Sequence, residues 1–188
     1  MNVNDLPPVP YQEALAQGTP NNIAWLEWFR QIRDFIVKFD TYKTYGLFSC
    51  HTTQTQPSAN TPKEITWTTH DVKDGIKYSG SKIIVPNAGL YRFNFSAQIT
   101  STSASTKNVW FWPRVNGLDV PGSTIKQTIS SSDATLIVTR TGLFKLNPND
   151  YLEALWATDV VGVELTAFPA TAFAPATPSA LLEVLQIG

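Results

Sequence analysis

The sequence predicts an all-β domain of the sandwich or jelly-roll type, preceded by an extended arm and one α-helix. Three observations predict it. Short apolar segments alternate with polar residues from Tyr42 to Gly188. Turn residues punctuate them, with 13 Pro and 10 Gly spread along 188 residues. Ser and Thr make up nearly a fifth of the chain, and Thr is a strand former.

Residues 1–19 form the first part. Leu6-Pro7-Pro8-Val9-Pro10-Tyr11 cannot be helical, because proline removes a donor and pushes its predecessor into extended geometry. Two readings are open, a disordered tail and a docking peptide. In the second, Leu6, Val9 and Tyr11 are anchors on a polyproline-like run that includes Pro8 and Pro10.

Residues 20–40 form the second. Thr19-Pro20 is a helix start, a hydroxyl cap followed by proline at the first helical position. Apolar residues then recur at Trp25, Phe29, Ile32, Ile36 and Phe39. The steps alternate four and three, which is a heptad seam. Phe29 and Ile36 take one core position; Trp25, Ile32 and Phe39 take the other. Isoleucine at both favours three strands over two. Burying five seam side chains at about 2 kcal/mol each gives about 10 kcal/mol gross per subunit, much of it cancelled by ordering costs. A helix of about 20 residues is marginal alone. It either packs on its own domain or forms a short self-associating stalk.

Residues 42–188 form the third, the β domain. Tyr45–His51 opens it. Glu64–Thr68 follows, then Lys82–Pro86 and the turn Asn87-Ala88-Gly89. Leu90–Ser96 alternates cleanly, with Tyr91, Phe93 and Phe95 on one face. Val109–Val115 puts Trp110 and Trp112 on one face and Phe111 on the other. Asn116-Gly117 is a strong hairpin signal. Leu136–Phe144, the turn Asn147–Asp150, Tyr151–Trp156, Gly162–Thr166 and Ala180–Ile187 complete eight to ten strands. Phe168–Pro178, broken by proline, reads as a loop, as does His70–Gly75.

The composition excludes several classes. Fourteen Lys+Arg against 15 Asp+Glu leaves a net charge of −1, so bulk charge does not carry binding to nucleic acid or an anionic membrane. No apolar run approaches the ~20 residues of a membrane span, and the first residues lack a signal core, so cytosolic synthesis is expected. One cysteine, Cys50, excludes an internal disulfide framework. Charged residues are only 15%, low for a solvated surface, which points to a surface covered by assembly.

Little catalytic chemistry is legible. Cys50 and His51 are adjacent, so on a strand they face opposite sides and cannot share one ion. His70, Asp71 and Asp74 read as loop polarity. No Gly-x-Ser-x-Gly elbow or phosphate-binding glycine loop occurs. The expectation is a non-enzyme with no cofactor and no metal. Trp110 and Trp112 have two readings, core or interface packing and a sugar-stacking platform.

The order of signals from Thr44 to Gly188 resembles the jelly roll shared by tumour necrosis factor and the globular heads of complement. Gly89-Leu90-Tyr91-Arg92-Phe93 matches that family's Gly-x-Tyr-x-Phe strand. Asn149-Asp150-Tyr151-Leu152 resembles its Gly-Asp turn, with Asn in place of Gly. Phe173 and Ser179-Ala180-Leu181-Leu182 loosely match its closing motif. The resemblance implies a trimer packed around aromatic strand faces, with Tyr91 and Phe93 between subunits, and it carries over no catalytic residue. The N-terminal region departs from the complement heads in having no collagen stalk. It is similar to the region before such jelly rolls in tailed-bacteriophage structural proteins, through Pro7-Pro8-Val9-Pro10 and Trp25-Leu26-Glu27-Trp28-Phe29.

The expected function is a non-enzymatic homotrimer of the virion, assembled in the host cytoplasm. Its Leu6–Tyr11 arm and helix attach it to a capsid or other virion protein as decoration, cement or head fibre. The alternative is a tail-fibre or spike tip that recognises a host glycan.

Overall fold

The computed structural model describes residues 23–41 and 44–188. The chain divides into two units, residues 1–43 with Gly188 and residues 44–187. In the first, α1 spans Ile23–Thr41. It contains all five seam positions; Phe29 and Ile36 are exposed, and Ile32 is half-buried. The expected arm, with Leu6, Pro8, Val9, Pro10 and Tyr11, and the Thr19-Pro20 start signal lie outside the described residues. No described helix is long and apolar enough to cross a membrane.

The second unit is a sandwich of two seven-stranded antiparallel sheets. The first sheet holds β1 (Tyr45–Cys50), β2 (Gln54–Thr55), β4 (Thr69–Asp74), β7 (Gly89–Ser101), β11 (Thr135–Leu146), β13 (Val163–Leu165) and β14 (Ala180–Gln186). The second holds β3 (Lys63–Glu64), β5 (Lys77–Ser79), β6 (Lys82–Ile84), β8 (Lys107–Val115), β9 (Leu118–Asp119), β10 (Ile125–Ile129) and β12 (Tyr151–Thr158). In the first sheet β7 pairs with β11 on one side and with β14 and then β13 on the other. Beyond β14 lie β1 and the edge strand β4. In the second, β8 and β12 pair centrally, flanked by β10 and β6. This two-layer arrangement is the predicted jelly-roll sandwich.

Strand parity decides what faces the core. Alternate residues of β7 point inward: Tyr91, Phe93, Phe95, Ala97 and Ile99 are all buried. Phe95 meets Phe111 of the opposite sheet at 5.7 Å, and Phe111 stacks on Trp156 with ring planes 12° apart. The Tyr91 hydroxyl donates to the Asn87 carbonyl at 2.9 Å. The expectation that Tyr91 and Phe93 lie between subunits is therefore corrected. Both are interior to one chain, and exposing them to a neighbour would open the sandwich.

Turn chemistry follows the sequence. Asn116 and Gly117 both have positive φ, 51° and 79°, as a type I′ hairpin requires. The Asn116 side chain also closes the neighbouring turn, donating to Asp150 at 2.8 Å and accepting from the Tyr151 N–H at 3.0 Å. One buried cation sits at an end of the sandwich. Lys107 is 1% exposed, and its Nζ donates to the Ser101 and Ser103 hydroxyls and the Ser103 and Ser105 carbonyls at 2.7–3.0 Å. The four oxygens replace the water its charge would otherwise lose.

Two segment assignments change. Thr69–Asp74, read as part of a polar loop, is a strand exposed along its length. It pairs with β1 at the sheet edge, where polar residues protect an unpaired rim. In Glu64–Thr68 only Lys63–Glu64 forms ladder pairing. Ile65 and Trp67 are nonetheless buried, and their N–H groups bond to the carbonyls of Ala154 and Gly80.

Candidate functional site

The chemistry-bearing side chains come first. Ser49, at the end of β1, has its Oγ 3.1 Å from His51 Nε2, 2.5 Å from Thr69 Oγ1 and 3.4 Å from Asp71 Oδ2. This brings a serine, a histidine and an aspartate together, but not as a relay. The carboxylate contacts the serine instead of orienting the imidazole, and Ser49 is 1% exposed. Cys50 faces inward, and His51 faces out. Burial pushes the Cys50 thiol up, and hydrogen bonds from Thr52, Ser179 and Thr68 outweigh it, leaving the thiol below its ordinary value. Among the described residues no three His, Cys, Asp or Glu side chains group as a metal site.

The outer face of the first sheet is built by register. Tyr45, Leu185, Arg92 and Leu143 stand opposite one another across β1, β14, β7 and β11. Val72, Leu47 and Glu183 form the next row. Directly paired residues share a face, so these apolar side chains stand on one surface with the Arg92–Glu183 ion pair and with Asn94, Ser96, Gln98, Thr139 and Thr141. Ile137 is 68% exposed, Leu143 59% and Val72 55%. A shallow groove of about 290 Å³ between Tyr45, Leu47, Val72 and Leu185 and another of about 210 Å³ beside Ile137 and Leu181 dent the face. Sequence reading missed this surface. Leu136-Ile137-Val138 is a continuous apolar run, and parity becomes visible only once Val138 is seen buried.

The outer face of the second sheet carries a different feature. Trp110 and Trp112 share that face, as predicted, and both are half-buried. They line a groove of about 570 Å³ with Asn60, Pro62, Asp119 and Thr124. Asp119, on the returning strand of the hairpin, was not singled out by the sequence. Its Oδ1 accepts from the Trp112 indole N–H and from Arg114 Nε, both at 2.9 Å. The indole hydrogen bond, then Arg114, holds its carboxyl below the usual range. Lys126 Nζ lies 5.5 Å from the Trp110 ring centre.

Two other segments carry aromatic side chains. Phe168 pairs with Thr177 at the base of its loop, and Phe173 at the tip is 91% exposed. On α1, Trp28 and Phe29 meet edge to face at 5.2 Å.

Neither a family model nor a curated protein matches the sequence. Solved structures do. The crystal structure of murine APRIL at pH 8.5 is similar with a TM-score of 0.50 and 11% identity, over 77% of this chain and 99% of that chain. The same protein at pH 8.0 gives the same TM-score, identity and coverage. These neighbours are tumour necrosis factor-type jelly-roll heads, and at this identity the likeness is one of fold.

Proposed function

We propose that this protein is a non-enzymatic structural component of a bacteriophage particle. It is a homotrimer whose sandwiches associate through the outer face of the first sheet and whose N-terminal arm and helix attach it to a capsid or other virion protein. The observation that carries the trimer is that face itself. A solvated sheet normally alternates polar residues outward, whereas here Tyr45, Val72, Ile137 and Leu143 stand exposed on it. Covering each of the more exposed three contributes about 1–2 kcal/mol. The Arg92–Glu183 pair is already neutralised within the chain, so the exposed charges of this face, Asp74 and Lys145, stand at its end beside Tyr45 and Leu90. That tumour necrosis factor-like heads are homotrimers supports the stoichiometry.

The virion role rests on the N-terminal resemblance, Pro7-Pro8-Val9-Pro10 followed by Trp25-Leu26-Glu27-Trp28-Phe29. Three arms on one trimer multiply a weak contact through effective concentration. The test is quantitative protein staining of purified particles of the virus that encodes this sequence. Decoration or cementing predicts many copies per particle and less robust capsids on deletion. Absence of the protein from the particles removes the reading.

A further inference from the structure

The groove on the outer face of the second sheet is not used by the assembly proposed above. Two indoles two residues apart on β8 share a face, their Cα atoms about 7 Å apart, and so present two adjacent ring surfaces. Large aromatic surface left half-exposed in a concave wall is what ring stacking uses. The polar groups are arranged around it. Asp119 Oδ1 is held by Trp112 and Arg114, while Oδ2 has no protein partner among the described residues. The carboxylate is thus fixed in orientation with one acceptor oxygen free. The Asn60 amide and the Thr124 hydroxyl, also on the wall, make no side-chain hydrogen bond among the described residues. Arg114 is shared by Asp119 and Glu64, and Lys126 interacts with Asp159, so neither cation at the groove lacks a carboxylate.

We propose that this groove binds a neutral oligosaccharide, with sugar rings on Trp110 and Trp112 and sugar hydroxyls donating to Asp119. A proline-rich peptide is the other ligand that aromatic grooves take. It offers carbonyl acceptors and few donors. Here the Trp112 N–H is already spent on Asp119, and the open groups are the Asp119 acceptor beside the Asn60 amide and Thr124 hydroxyl, a mixed set matched by sugar hydroxyls, which both donate and accept.

This inference stands apart from the virion reading, because soluble full-length protein is enough to test it. Cellohexaose, laminarihexaose, chitohexaose and maltohexaose are each titrated while tryptophan fluorescence and heat are followed. Saturable binding of at least one, with Kd at or below about 1 mM, is expected. Asp119→Asn and Trp110→Ala should each weaken it about tenfold or more while the protein still unfolds in a single cooperative transition. Asp119→Asn preserves shape, so it reports even if Trp110→Ala is poorly folded. No binding of any of the four at about 10 mM overturns the proposal. So does sugar binding that ignores Asp119→Asn, or tighter binding of the peptide Leu-Pro-Pro-Val-Pro-Tyr at the same groove.

Discussion

Replacing Lys107 with methionine removes a charge while keeping most of the volume. The wild-type ammonium is 1% exposed and shares its three N–H groups among four neutral oxygens, with no carboxylate among them. Hydrogen bonds to a charged group are worth about 1.5–3 kcal/mol each, and the buried charge costs several kcal/mol in lost hydration. Methionine recovers that hydration cost but strands the Ser105 carbonyl, at about 1–3 kcal/mol if unmet, while the Ser101 hydroxyl still donates to the Ser103 carbonyl at 2.6 Å. Ser103 and Ser105 are exposed, so water satisfies part of that. The net expectation is a loss of about 1–2 kcal/mol. For a domain of this size that lowers Tm by about 5 °C. Urea unfolding followed by tryptophan fluorescence, at one fixed protein concentration, measures it. Equal or greater stability in Lys107→Met would refute the reasoning, since it would mean that an apolar chain serves there as well as the clamp.

Acid should destabilise the domain. The Asn147 backbone N–H and then the Asn116 amide hold Asp150 below the usual carboxylate range. Burial pushes Asp159 up, but the Asn108 N–H and amide outweigh it, so it too is lowered. A depressed folded value contributes stability that is fully present above the unfolded value of about 3.9 and is lost as pH falls through the folded value. The urea midpoint is therefore expected to hold from about pH 8 to 5 and to drop below about pH 4, less steeply in Asp150→Asn/Asp159→Asn; an unchanged acid slope contradicts this. Gly162 has φ of 90° and a Cβ there would lie 2.8 Å from Thr102 Oγ1, so Gly162→Ala should cost about 1–3 kcal/mol, read as a shifted denaturation midpoint. Phe168→Ser/Phe173→Ser should leave stability within about 1 kcal/mol and reduce particle attachment, because Phe173 at the loop tip offers an exposed aromatic contact. Unaltered assembly and attachment would remove that role.

The sandwich was legible because its longest strands carry clean parity. Leu90–Ser96 alternates, and Asn116-Gly117 marks its hairpin without help from the rest of the chain. Short strands were not legible. Gln54–Thr55, Lys77–Ser79 and Leu118–Asp119 are too brief for any period, and Thr69–Asp74 is polar because it edges the sheet. Interfaces failed for a different reason. Aromatic Tyr91 and Phe93 look like interface anchors, yet periodicity reports only that residues share a face, not which side the second sheet covers. Ile137 and Leu143 turn outward on the same logic. In the groove, the paired indoles could be read from spacing two. Asp119 could not, because it reaches Trp112 only after the hairpin folds back to pair Arg114 with Asp119.

The most direct test is the native mass of the full-length chain by sedimentation at micromolar concentration, beside an Ile137→Asp/Leu143→Asp variant. Wild type should run at three times the chain's 20.8 kDa, and the variant as folded single chains. Wild-type monomers, or a variant that still forms trimers, would contradict association through that sheet face.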